Sequence, residues 1–506
     1  MINVCAICLI GISRTRPLLN CSNCVTTLRS LSFQRKISGE TYLFTHEQNK
    51  PLYKTAIDVR FIVENLDLFK RSIKARKIDN IDIDQLKLLY NDLRLWNSKE
   101  TEVILKLDDI DRKRLSVADD ELEKLKLLAR IYKDKVVSLE KEIHEIVASV
   151  PNLLDHDTTQ DSGLKVLETR KVEGLPVENV QKLKEHDNLA GYLNILRQPT
   201  SGYVTNSKGF FLTGAGCYLE RALIRFTEDF LTNKGSFIPM TVPLLLTPKI
   251  IEGCGQIVSG ERSPVYTLSD DFNYMNDPIC LAGTSEHSLV GYLMRASIQP
   301  ASLPLRLTAT SPCFRAELTM GRHSRGIFRV PQFNKVEMVG VAKDSITGEL
   351  LFDEFVSIQK ELFDAIQIPY RVIEVPADDL GAPAYRKIDI EAYLPGRKEW
   401  GEISSCSNCT NFQSQRLHIT SQSEFVHTVN GTACATPRMI IAILENYQRK
   451  DKSIQIPRVL QQYMPEFCRD QISAEQPGKI DKLQGLKFSK LSFKKKPHYI
   501  RKHGFD

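Results

Sequence analysis

The chain has 506 residues, 42% hydrophobic and 26% charged, with 68 Lys and Arg against 62 Asp and Glu for a formal charge of +6. That length supplies about three domains at ~150 residues each, and the composition excludes a disordered or collagen-like chain. The longest apolar run, Val4 to Ile12, has nine residues, half of the ~18 a membrane helix needs, so no membrane span is predicted.

The charge is not evenly spread. Residues 1–39 hold Arg14, Arg16, Arg29, Arg35 and Lys36, are rich in Ser and Thr, and contain no acid before Glu40. A basic, acid-free, hydroxyl-rich start predicts a transit peptide that is removed after import, with the mature protein in the mitochondrial matrix. A secretory signal built on Val4–Ile12 competes, but no Lys or Arg precedes that run. Cys5, Cys8, Cys21 and Cys24 have zinc-ribbon spacing. They lie inside the removable segment, so no zinc is expected there, and the other eight cysteines read as reduced thiols.

From about 55 to 155 the sequence predicts helices. One apolar seam runs Leu86, Leu89, Leu93, Trp96, Val103, Leu107, Ile110. A second runs Leu122, Leu125, Ala129, Tyr132, Val136, Leu139, Ile143, Ile146, Val150. Alternating steps of three and four keep each stripe against a partner helix. The charged stretch Asp111–Asp120 is the predicted turn and Pro151 the stop, which together give an antiparallel helical hairpin. Between Asp58 and Val150 there are 19 basic and 20 acidic residues, so charge alone assigns this arm no nucleic-acid role.

Residues 190–468 mix helices with short β-type runs, which predicts an α+β domain on an antiparallel sheet. Phe211–Phe230 reads as a helix, Gly235–Leu246 as a strand, Leu305–Glu317 and Ile327–Val341 as a hairpin, and Thr436–Gln448 as a helix. The remainder, 469–506, is a basic tail. Its run Lys482–Lys502 has eight basic residues and no acid, with Phe488, Phe493 and Tyr499 between them. Two readings stay open for it, a solvated tail and an RNA-facing extension. Residues 1–39 carry +5 and 482–506 carry +7, which leaves the body at −6.

The hairpin carries the chemistry. Arg315 and Glu317 are two apart and share a strand face; Arg329, Phe333, Lys335 and Glu337 share a face on the return strand. Charges gathered this densely are costly unless a charged ligand pairs with them. An arginine fork suits phosphate oxygens, an aromatic ring a stacked base, and a carboxylate an amino group. The competing reading is an exposed salt-bridge ladder of little energetic consequence.

The segment Thr310–Val341, TSPCFRAELTMGRHSRGIFRVPQFNKVEMVGV, resembles motif 2 of class II aminoacyl-tRNA synthetases in the form found in seryl-tRNA synthetases. In order along the chain, GSFIPMTVP (Gly235–Pro243) resembles motif 1, the dimer strand, and GTSEHS (Gly283–Ser288) the seryl TxE loop. GEISSCSNCTNFQSQRL (Gly401–Leu417) resembles the metal and serine strand, and NGTACATPRMIIAILENYQ (Asn430–Gln448) motif 3. The hairpin followed by VPNLL (Val150–Leu154) resembles the family's N-terminal tRNA-binding domain. The likeness spans roughly 55–465, and five ordered motifs make it specific. It implies a class II catalytic domain with a coiled-coil arm, a homodimer, and ligation of serine to mitochondrial tRNA(Ser) with ATP and Mg²⁺ but no zinc.

The resemblance also assigns residues. Arg315 holds the ATP α-phosphate and the serine carboxylate; Glu317 accepts from the adenine amino group, and Phe333 stacks on adenine. Arg329 and Arg438 bind the outer phosphates, and Glu402 and Ser405 hold the metal. Thr284, Glu286, Arg315, Glu337, Asn430 and Thr432 form the serine site, and Arg315, Arg438 and Glu402 carry catalysis. Cys406 and Cys409 are expected to be buried thiols. The chain departs from the family at Pro331, often His, and Ser285, often Ala, and its motif 2 loop is short. None of these removes a role-bearing side chain. A catalytically silent relative would lack the phosphate arginines or the metal carboxylate, and all are present.

Overall fold

The computed structural model describes residues 44–46, 56–113, 118–158, 163–198, 204–205, 208–258, 260, 263–269, 278–316 and 326–474. The expected transit segment, Glu317 and the run Lys482–Lys502 lie outside the described residues.

Four helices build the N-terminal part: α1 (Val59–Glu64), α2 (Leu66–Ala75), α3 (Ile83–Lys113) and α4 (Asp119–Ser149). Helices α3 and α4 pack against each other along the two seams. Leu86, Val103, Val136, Leu139, Ile143 and Val150 are buried, and the other seam positions are half-buried. Two helices alone leave much of a stripe partly open, and burial is most continuous where a third element joins the seam. That happens at the base, where Ile62, Phe69 and Ile73 meet Ile83, Leu86, Ile143 and Val147. Farther out, Trp96 and Tyr132 touch edge to face at 5.4 Å. Both helices run into the expected turn Asp111–Asp120: α3 continues to Lys113 and α4 starts at Asp119, and residues 114–117 lie outside the described residues. Charged residues are good helix formers and do not interrupt a helix by themselves.

Two arginines, Arg76 buried and Arg416 half-buried, fix the hairpin to the rest of the chain. Arg76 donates to the carbonyls of Gly381 (3.0 Å), Ala384 (2.6 Å) and Asn152 (3.2 Å). Arg416 donates to the carbonyls of Val147 (3.3 Å) and Val150 (3.1 Å). Those carbonyls end α4, where the last turn lacks its full set of intrahelical donors and the dipole favours a cation. Burial pushes Arg76 down to about 10 and Arg416 to about 9. Asn152 completes the joint, donating 2.9 Å bonds to the carbonyls of Pro383 and Cys409.

The body is organised on an eight-stranded sheet. In chain order its strands are β1 (Lys165–Arg170), β2 (Ile238–Pro239), β3 (Leu305–Phe314), β4 (Gln332–Ala342), β5 (Tyr370–Glu374), β6 (Arg386–Leu394), β7 (Glu399–Thr410) and β8 (His427–Ala435). Across the sheet the order is β1-β5-β6-β7-β8-β4-β3-β2. Every neighbouring pair is antiparallel except β2 and β3. The body is thus an α+β fold on an antiparallel sheet. The expected hairpin is β3–β4, with Lys335 opposite Ser311 and Glu337 opposite Ala309.

Four helices serve this sheet: α5 (Ala215–Lys234), α6 (Ser285–Tyr292), α7 (Ser345–Ile366) and α8 (Thr436–Asn446). One face is apolar and packs on α7. There Gly340 and Gly431 leave room for Phe355, which a Cβ at Gly340 would meet at 2.9 Å. The other face is polar and bears the site. Two expected elements differ in extent. The helix expected from Phe211 starts at Ala215, because Phe211–Leu212 is a strand and Gly214 turns the chain at φ +51. The strand expected over Gly235–Leu246 survives as Ile238–Pro239 and Leu245–Leu246, since proline cannot donate to a ladder. No helix among the described residues is long and apolar enough to cross a membrane.

Candidate active site

Register breaks decide which side chains reach the polar face. Along β7 the pairing with β6 shifts from Ile390–Ser404 to Glu391–Glu402, which leaves Ile403 as an extra residue. On a regular strand residues three apart face opposite sides; the bulge brings Glu402 and Ser405 to the same one. Ile403 is buried, whereas Glu402 and Ser405 are half-buried. A second shift on β8, from Val336–Cys434 to Glu337–Thr432, makes Ala433 the extra residue and sets Thr432 beside Glu337.

A cavity of about 300 Å³ opens on this face, with Arg315, Arg329, Phe333, Glu402, Ser405 and Arg438 in its lining. The Arg315 guanidinium lies 5.4 Å from the Phe333 ring centre, and its Nε donates to the Gly283 carbonyl at 3.2 Å. Arg438, in the first turn of α8, is aimed by three contacts. Its Nη1 lies 3.2 Å from Glu402 Oε1 and donates to the Glu402 carbonyl at 3.0 Å, while the guanidinium sits 4.7 Å from the Phe328 ring centre. Burial disfavours a charge on Glu402, but Arg438, Lys387 and Arg315 outweigh it and hold the carboxyl below its usual range. Asp389, paired with Lys387 at 2.8 Å, moves the other way because burial dominates. The cavity therefore offers fixed cations, an ionised carboxylate and an aromatic face.

Next to it lies a carboxylate pair, Glu337 buried and Glu286 half-buried. Glu337 is ion-paired with Lys335 and accepts from the hydroxyls of Thr284 and Thr432, each at 3.4 Å. Glu286, in the first turn of α6, accepts from Asn430 Nδ2 (2.9 Å) and Gln413 Nε2 (2.8 Å), both at Oε1. Gln413 is itself held by Thr428 Oγ1 at 2.7 Å. Burial, then the neighbouring Glu337, pushes Glu286 up to about 7. Burial also raises Glu337, against the pull of Lys335. Two neighbouring acids with raised pKa values suit a ligand that brings its own positive charge.

All the expected site residues except Glu317, which lies outside the described residues, fall into these two groups. The sequence reading gave no role to Phe328, Lys335, Lys387 or Gln413. Lys335 was visible through its period-two spacing with Phe333 and Glu337. Lys387 shares that spacing with Asp389, but nothing local marks β6 as part of the cleft. The two departures have structural places: the Ser285 hydroxyl donates to the Ala309 carbonyl at 3.2 Å, and the Pro331 carbonyl accepts from the Arg315 N–H at 2.9 Å. Cys406 and Cys409 are buried, and burial raises both thiols well above their usual value.

Comparison with known proteins agrees with this geometry. Residues 266–447 match the family model for the tRNA synthetase class II core domain (G, H, P, S and T). The chain is 40% identical over 333 residues to the mitochondrial serine–tRNA ligase of Mus musculus, covering 64% of this chain and 63% of the mouse protein. The chain thus spans a little under two thirds of the length of that curated relative. It is 37% identical over 432 residues to the serine–tRNA ligase of Borreliella burgdorferi (strain ZS7), covering 80% of this chain and 97% of the bacterial one. Among solved structures, seryl-tRNA synthetase from Pyrococcus horikoshii complexed with ATP superposes with a TM-score of 0.72 at 27% identity, covering 82% and 99% of the two chains.

Proposed function

The chain belongs to the seryl-tRNA synthetase family, and we propose that it joins serine to mitochondrial tRNA(Ser) at the expense of ATP. The observation that carries this is the meeting, on one sheet face, of the Arg315–Phe333 and Arg438–Glu402 pairs with the carboxylates Glu286 and Glu337.

In this reading a serine carboxylate oxygen attacks the α-phosphorus of ATP. The bond to the bridging oxygen breaks and pyrophosphate leaves. A hydroxyl of the tRNA 3′-terminal ribose then attacks the seryl carbonyl, and AMP leaves. No protein nucleophile is needed; the work is alignment and neutralisation of charge. Arg315 sits between the α-phosphate and the serine carboxylate. Arg329 and Arg438 hold the outer phosphates, Phe333 stacks on adenine, and Glu317 accepts from its amino group. Glu286 and Glu337 receive the serine ammonium, with Thr284, Asn430 and Thr432 around its hydroxyl. A site built to hydrogen-bond a hydroxyl rejects alanine, which leaves buried polar groups unpaired.

Glu402 and Ser405 fit Mg²⁺: both are hard oxygen donors, on one face, and the carboxylate is held ionised. Bound there, the ion would neutralise charge on the phosphate oxygens. The reading needs no zinc. It includes a transit segment at 1–39, an arm domain at 55–155 that grips tRNA, a catalytic domain at 190–468 that dimerises through Gly235–Pro243, a basic tail at 469–506, and residence in the mitochondrial matrix. The test is ATP–pyrophosphate exchange by the full chain. Exchange that requires serine, and that alanine does not replace, is expected; a folded protein without serine-dependent exchange overturns the reading.

A further inference from the structure

We propose that Gln359, on the side of the sheet away from the cleft, is a positioning residue that sets the separation of the strand bearing Glu402 and Ser405 from the strand bearing Asn430 and Thr432. The inference rests on the proposed function only for what those strands bind.

The ladder between β7 and β8 stops at the pair Cys406–Gly431. Past it the strands part: Ser405 continues its pairing with β6 at Asp389, and Thr432 with β4 at Glu337. The cleft lies over this split, and Ser404, Ser405 and Thr432 all line it. Two strands that part leave backbone carbonyls without ladder partners, and buried carbonyls require them. Gln359, on α7 and fully buried, supplies one bond to each; the Thr432 carbonyl also accepts from the Ser404 hydroxyl, so Gln359 is the donor that reaches both strands at once. Its Nε2 donates to the Ser405 carbonyl at 2.8 Å and to the Thr432 carbonyl at 3.0 Å. One side-chain amide thus spans the first residues beyond the ladder and uses both of its N–H groups.

Two further facts show that the donors are what matters at this position. Gln359 Oε1 is buried with no hydrogen-bond partner among the described residues, so half of the amide is retained at a cost in stability. Gly431 is the residue beneath it, and a Cβ there would lie 3.1 Å from Nε2, tight against the amide that reaches the carbonyls. The side chains hung on the two bridged residues fall in the two halves of the reaction. Holding them apart at a fixed distance is alignment of the reactants, for which an error of about 1 Å can cost on the order of 100-fold in rate.

The test uses the full chain with Gln359→Met, which keeps the volume and removes both donors, and Gln359→Glu. Burial keeps that new carboxyl protonated, so it donates one bond of the two. Pyrophosphate exchange is measured well below each variant's melting temperature, with ATP and serine varied separately. Turnover about 10- to 100-fold lower in the Met variant is expected, with either KM changed by less than about threefold and the Glu variant between it and wild type. If the Met variant does not fold, the Glu variant carries the same comparison. Full turnover in a folded variant, with only a lower melting temperature, overturns the proposal and leaves Gln359 as packing. If wild type itself shows no exchange, the proposed function fails, and hydrogen exchange decides this inference separately. Faster exchange confined to peptides over Glu399–Thr410 and His427–Ala435 supports it; uniform or absent acceleration rejects it.

Discussion

Glu402 on β7 and Glu286 at the head of α6 are carboxylates of adjoining halves of one site, and their surroundings drive their charge in opposite directions. Both are penalised by burial. Around Glu402 that penalty is overcome by Arg438, Lys387 and Arg315, and the group is held ionised. Around Glu286 it is reinforced by Glu337, and only Gln413, Lys335 and Arg315 resist. The difference matches what each half is proposed to meet. A polyphosphate needs a permanent cationic frame, and the arginines that provide it fix Glu402 as an anion in passing. An ammonium group needs an anion that appears when it arrives, and a carboxyl poised near neutrality supplies one.

Removing the cation from the first half tests the contrast most severely. Arg438→Ala takes away the proposed phosphate ligand and the strongest pull on Glu402, so the Glu402 carboxyl rises towards its ordinary range. Pyrophosphate exchange should fall by about 10³-fold, with tRNA affinity largely kept because the arm proposed to grip tRNA, α3 and α4, is untouched. Equal loss of exchange and tRNA binding would assign Arg438 to folding.

The second half is probed by Glu286→Gln, which keeps the shape and removes the charge. Losing one charged hydrogen bond to the substrate amine should raise the serine KM by about 10- to 100-fold and leave the ATP KM nearly unchanged. Wild type should show the same dependence through pH. With Glu286 at about 7, the carboxyl is mostly protonated at pH 6 and mostly ionised at pH 8. Serine affinity should therefore weaken about tenfold from pH 8 to pH 6. The Glu286→Gln variant should lose that slope, and the ATP KM should stay flat because Glu402 remains ionised throughout. A matching slope for ATP would break the contrast between the halves.

How much of this was legible in the sequence follows the same physical division. Where geometry repeats, spacing was enough: steps of three and four gave the seams of α3 and α4, and steps of two put Phe333, Lys335 and Glu337 on one face of β4. Where geometry is broken, spacing misleads. Glu402 and Ser405 are three apart, which on a regular strand separates them, and only the extra residue Ile403 unites them. The resemblance to a family named them together; periodicity could not. Gln413, Phe328 and Lys387 reach the site from three different elements, through strand pairings that the whole domain selects. No window of sequence contains that selection. The helix misread from Phe211 failed for a related reason, since its apolar spacing continues across Gly214, where the backbone turns.

The mildest test reaches Glu286 through two intermediaries. Thr428 Oγ1 donates to Gln413 Oε1, which leaves the Gln413 amide nitrogen for Glu286. Thr428→Val removes the hydroxyl at nearly constant volume, and Gln413 loses what fixes its orientation. A hydrogen bond to the ionised form lowers a carboxyl's pKa, so weakening the Gln413 bond lets Glu286 rise. The serine KM should increase about threefold at pH 7, and its inflection should move to higher pH. The ATP KM should not follow. If it does, Thr428 supports the sheet as a whole, and the serine half is not electrostatically separate from the half that holds the phosphates.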